Sequence, residues 1–165
     1  ILLIRKMLPA YFTAIGTQSS AATIPVTLKQ TKENGVNEGI ADFTIPLCAT
    51  IHLSGSTITL VSCSMAVMML HGMPITFSGM FGFILMLGVT MVAAPGVPGG
   101  AVMAALGLLE SMLGFGPELT SLMIALYLTQ DSFGTACNVT GDGAISIIVN
   151  RIAGFKLIPP KKEEV

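Results

Sequence analysis

Charge and tryptophan are what this 165-residue chain has least of: Lys, Arg, Asp and Glu make up 10% of it, Trp is absent, and no charged residue occurs between Asp42 and Glu110. Soluble domains carry ~25% charged residues, so 52% hydrophobic content and a mean hydropathy of +0.80 exclude an ordinary water-facing surface. The uncharged interval has room for about three bilayer crossings at ~20 residues each, or for two crossings and a hairpin that turns back. A formal net charge of −1 leaves no basic face for nucleic acid, so none is expected as a partner. Only three cysteines are present, Cys48, Cys63 and Cys137, in apolar context and without metal-ligand spacing. They read as buried small hydrophobes rather than as a disulfide or a metal cluster. The chain opens on Ile1 with no secretory pattern, which leads to the expectation that it is the C-terminal part of a longer polypeptide.

What is present is a polar stripe. In DSFGTACNVTGD, Asp131, Thr135, Asn138 and Asp142 fall at i, i+4, i+7 and i+11, one face of a helix. An ionisable side chain at bilayer depth costs at least ~2.5–3.5 kcal/mol, so two on one face mark a substrate or ion pathway. A soluble helix with a solvated face is the plainer reading, and the apolar flanks oppose it. Aspartyl catalysis is a further reading, but it needs two carboxylates at one site. Eleven residues apart, Asp131 and Asp142 are ~16 Å apart along a helix axis.

Breaks in the apolar segments supply the rest. The first is Thr17-Gln18-Ser19-Ser20-Ala21-Ala22-Thr23, between apolar flanks too short to span. It reads either as the tip of a hairpin lining a site or as a plain cluster of helix-capping hydroxyls. The mixed-charge stretch 29–42 reads as a solvated loop. His52-Leu53-Ser54-Gly55-Ser56-Thr57 interrupts the next apolar run; unwound there, its carbonyls become cation ligands. His52 is titratable at depth, whereas His71 belongs at an interface. Pro95-Gly96-Val97-Pro98-Gly99-Gly100 cannot be helical, and amides after it suit an anion. As a phosphate loop it lacks the following Lys-Ser/Thr. The Asn138-Val139-Thr140 sequon, mid-helix, is coincidental. The expected fold is therefore an all-α membrane protein of transmembrane helices plus two re-entrant helical hairpins. The first hairpin covers about 7–28, the interrupted helix about 43–72, the second hairpin about 75–115 and the final helix about 120–152, with a polar tail at 156–165. Such interrupted segments signal a secondary transporter with a midplane site.

In this order, SSAATIPVT, PLCATIHLSGS, GVPGG and DSFGTACNVTGD resemble the dicarboxylate/amino acid:cation symporter family, the glutamate-transporter-like proteins, from about Met7 to Phe155. The resemblance implies a multi-pass protein of a prokaryotic cell membrane, in contact with lipid. It implies a homotrimer whose transport domain moves like an elevator, with scaffold helices upstream of this chain, and no cofactor beyond coupled ions. It places the substrate ammonium on Asp131 and its α-carboxylate on Asn138, helped by Ser19, Ser20 and amides near Val97 and Gly99, with Thr135 beside the side chain. Asp142 is implied as a sodium ligand, joined by backbone carbonyls of Cys48, His52 and Asn138. Three positions depart from the family pattern. Gly134 stands where dicarboxylate carriers have an arginine, and Gln18 where some members have another. Neither offers a cation to a distal carboxylate, so a neutral amino acid is expected; the Gln130-Asp131-Ser132 before Thr135 is similar to the final helix of bacterial serine/threonine carriers of the family, which implies a small substrate of the serine/threonine kind. His52-Leu53-Ser54-Gly55-Ser56 replaces Asn-Met-Asp-Gly-Thr, which calls one sodium site into question and raises proton coupling through His52 as the alternative, beside a dicarboxylate substrate met by a cation from elsewhere.

Overall fold

The computed structural model describes residues 2–154, and these form seven α-helices. The tail expected at 156–165 lies outside the described residues. Helices α1 (Leu2–Thr17) and α2 (Ser20–Glu33) make a first hairpin, and α5 (Phe77–Met91) and α6 (Gly100–Leu113) a second. Between them, α3 (Glu38–Ile51) and α4 (Ser54–Leu70) are one helix broken at His52 and Leu53. The last, α7 (Pro117–Ile152), runs unbroken for 36 residues, ~54 Å at 1.5 Å per residue, and packs against α1, α2, α3, α4 and α6.

Length separates these elements. Each hairpin arm has 14 to 16 residues, ~21–24 Å, short of a ~30 Å hydrocarbon core. Among the described residues, one helical stretch, Glu38–Leu70, is long and apolar enough to cross a membrane. Two apolar clusters hold the helices. A large one joins α4, α5, α6 and α7 around Leu60, Phe83, Leu87, Leu109 and Tyr127. A small one packs Met7, Ala10 and Ala14 of α1 on Ala136 and Val139 of α7. The outer faces stay apolar, with Phe43, Ile58, Phe77, Phe81 and Val89 exposed.

Three expectations are corrected here. The stretch 29–42 is not a loop: α2 continues through Lys29–Glu33, and only 34–37 turns before α3 starts at Glu38. Lys, Gln and Glu are good helix formers; Gly35 at φ 91° makes the turn, Asn37 caps α3, and Lys32 pairs with Asp42 at 2.8 Å. The interruption at 52–57 is also narrower, because Ser54–Thr57 form the first turn of α4. Of the cysteines, Cys48 is buried, Cys63 half-buried and Cys137 exposed, so the last is not the buried hydrophobe expected; all three are free thiols.

Where α4 crosses α7 the backbones nearly touch. A Cβ on Gly55 would collide with the Gly134 carbonyl and lie 2.7 Å from the Cys137 Cβ. Gly55→Val is therefore expected to cost about 2–3 kcal/mol, read as a lowered melting temperature in detergent with unchanged helicity at low temperature.

Candidate functional site

Three helix breaks converge on the polar face of α7. After α1, Gln18 takes a left-handed φ of 51° and its amide donates to the Ala14 carbonyl at 2.9 Å. Ser19 caps α2, its Oγ accepting from the Ala22 amide at 3.1 Å and donating to the Gly96 carbonyl at 2.7 Å. The Ala21 amide reaches the same carbonyl at 3.2 Å. The two hairpin tips thus meet at one oxygen, and Ser19 acts as the capping hydroxyl of α2. Gly96 is required there, since a Cβ would sit 2.6 Å from the Ala49 carbonyl at the end of α3. Further along that tip, Gly99 caps α6 with a left-handed φ of 71° and its amide donates to Asp131 Oδ2 at 2.8 Å.

The carboxylate of Asp131 is 3% exposed. Its Oδ1 accepts from the Tyr127 hydroxyl at 2.9 Å and, more weakly, from Thr135 at 3.5 Å. Every one of these donors is neutral. A buried carboxylate surrounded by neutral donors keeps capacity for a cation, and an ammonium has the donors to use it.

Asn138 acts on the backbone of α4. The N-cap residue Leu53 has no capping side chain, so the first amides of α4 need an acceptor from elsewhere. Asn138 Oδ1 accepts from Gly55 N at 2.7 Å and from Ser56 N at 3.4 Å, while its Nδ2 donates to Ser56 Oγ at 2.9 Å. This explains why Gly55 and Ser56 are helical.

Asp142, 1% exposed, has its Oδ1 2.7 Å from His52 Nδ1. The imidazole turns its Cε1 edge toward Gly141, where a Cβ would collide with it. His52 thus meets Asp142 through its side chain. The Cys48 carbonyl accepts from the His52 amide at 2.8 Å. Below Asp142 the stripe continues: Ser146 shares a 2.7 Å hydrogen bond with Thr44, and Asn150 Oδ1 accepts from the Asn37 amide at 2.9 Å.

Of the expected substrate residues, Ser20, Val97, Asp131, Thr135 and Asn138 line one small, nearly closed pocket, with Gln18 and Ser56. Ser19 is held in the tip contact, and Gly99 is spent on Asp131. Ser54 is exposed, outside the pocket. Gly134 faces α4 with no room for a side chain, its would-be Cβ 3.3 Å from the Ser56 backbone. Sequence reasoning missed Tyr127 and Leu53, which also line the pocket. Tyr127 precedes Asp131 by one turn, so extending the same stripe backwards would have found it.

Residues 1–152 match the model of the sodium:dicarboxylate symporter family. The chain belongs to that family. Among relatives of this symporter-family chain, excitatory amino acid transporter 1 of Rattus norvegicus is 28% identical over 152 residues, 92% of this chain and 28% of that protein. Neutral amino acid transporter B(0) of the same species is 31% identical over 131 residues, covering 79% and 23% of the two chains. Serine/threonine transporter SstT of Acinetobacter baumannii is 32% identical over 134 residues, covering 79% and 33%. The chain thus spans about a quarter to a third of the length of these relatives. The family is one of membrane transporters, which sets the aspartyl-enzyme reading aside.

Asn138→Leu removes the acceptor that holds α4. It is expected to cost about 1–3 kcal/mol, and hydrogen exchange should show lost protection at the Gly55 and Ser56 amides with α6 unaffected.

Proposed function

We propose that this chain is the substrate-carrying core of a sodium-coupled symporter for a small neutral amino acid of the serine/threonine kind. The observation that carries this reading is the buried Asp131 carboxylate, met among the described residues only by neutral donors where the two hairpin tips meet. An α-ammonium binds there by replacing the Gly99 amide. The α-carboxylate is received by hydroxyls and amides of the tips, Ser20 and the backbone near Val97, together with Asn138. Sodium travels as cargo beside Asp142, whose carboxylate and the nearby carbonyls of Cys48, His52 and Asn138 are the hard oxygen ligands such an ion takes. The short arms enter the bilayer and turn back, and the apolar outer faces meet lipid or the rest of the polypeptide. The complete protein is read as a homotrimeric, multi-pass membrane protein of a prokaryote, working by an elevator movement.

A neutral substrate is supported by two features. Among the described residues, no Lys or Arg lines the pocket. The position that would carry a guanidinium is Gly134, packed against Ser56 and Thr59. A distal carboxylate would be buried without a counter-ion, at a cost of several kcal/mol.

One observation favours a second reading, proton coupling in the same fold: His52 already occupies the Asp142 oxygen that a sodium ion would take. Uptake of labelled serine and aspartate into proteoliposomes, with a sodium or a proton gradient imposed separately, decides between them. Sodium-driven serine uptake, lost in Asp131→Ala and Asp142→Asn, is the expected result. Proton-driven uptake lost in His52→Ala would favour the second reading, and a preference for aspartate would overturn the neutral substrate.

A further inference from the structure

We propose that Tyr127 is a positioning residue of the amine subsite: by holding Oδ1 of Asp131, it leaves Oδ2 as the one oxygen a substrate ammonium can take. The proposal rests on the reading of Asp131 as the ammonium-binding carboxylate.

Tyr127 is fully buried, and its ring belongs to the large apolar cluster between α4, α6 and α7. Tyr127 also lines the pocket, and its hydroxyl donates to Asp131 Oδ1 at 2.9 Å. Buried tyrosines seek a partner for that group; here the partner lies one helical turn further along the same rigid element. The two oxygens of Asp131 are therefore held by different kinds of structure. Oδ1 faces α7 itself, through Tyr127 and the longer Thr135 contact. Oδ2 faces the Gly99 amide, on the second hairpin tip, at 2.8 Å. Of these donors, the loop amide is the one that can withdraw without unpacking a core. An arriving ammonium exchanges with Gly99, and Tyr127 keeps the carboxylate plane fixed while it does so. Because the phenol is neutral, it satisfies the oxygen without cancelling the negative charge that an amine requires.

This assigns Tyr127 a role in recognising the amine specifically, separate from recognition of the rest of the substrate. Serine and glycerate differ in that respect alone, the amine of one being a hydroxyl in the other. The test measures the KM for serine and the Ki of glycerate against serine uptake, using the complete polypeptide that carries this chain in proteoliposomes. Tyr127→Phe keeps the ring and deletes the donor. Its serine KM should rise about tenfold while the glycerate Ki changes less than about twofold, so discrimination falls about tenfold. Tyr127→Met, which fills the core flexibly without a hydroxyl, should lower discrimination in the same direction. Equal weakening of both ligands would mean a packing role and would overturn the proposal, as would unchanged discrimination in either folded variant. Asp131→Asn, run in parallel, separates the two levels. If it carries serine with the wild-type KM, the reading of Asp131 falls and the Tyr127 assignment with it; if it loses serine while Tyr127→Phe discriminates as the wild type does, only the assignment to Tyr127 falls.

Discussion

Polar atoms on a helix enclosed by apolar segments must find partners inside the protein, because neither lipid nor a packed core offers any. The stripe on α7 from Tyr127 to Asn150 sets that requirement, and the rest of the fold supplies the partners. They come mainly from places where helices end. The Gly99 amide at the start of α6 meets Asp131, the first amides of α4 meet Asn138, and His52 at the end of α3 meets Asp142. Helix ends carry unsatisfied amides and carbonyls by construction, so breaking three segments beside α7 pairs two sets of groups that would each be costly alone.

Glycine makes those approaches close enough. Gly55 against Gly134 brings α4 onto α7, Gly96 brings the second tip onto α3, and Gly141 leaves room for the edge of the His52 ring. Each is a backbone-to-backbone or ring-to-backbone contact that a Cβ would prevent. The two carboxylates then differ in kind. Asp131 is held by neutral donors, one of them on a loop, whereas Asp142 is held by an imidazole.

Much of this was legible in the residues. The i, i+4, i+7, i+11 spacing put Asp131, Thr135, Asn138 and Asp142 on one face, and all four are buried together. Prolines and glycines announced a non-helical tip, which holds for 95–99, while Gly100 is already the first residue of α6. The mixed-charge stretch 29–42 misled because solvated helices and loops share a composition; only the turn at Asn34 and Gly35 distinguished them. Ser54–Thr57 misled for another reason: Gly and Ser have low intrinsic preference for helix, and the amide that makes them helical sits on Asn138, more than eighty positions away. Local propensity contains no such term.

Local chemistry is written along the chain. Hydropathy, helix period and the residues that break helices all depend on neighbours a few positions apart, so the sequence by itself determined an all-helical membrane protein with short paired arms and a buried polar face. Which atoms pair across that face depends on contacts between distant segments, and only the tertiary structure decided it. Folding put the Gly96 carbonyl between Ser19 and Ala21, turned the His52 side chain onto Asp142, and placed the Tyr127 hydroxyl on one oxygen of Asp131 while leaving the other to a loop.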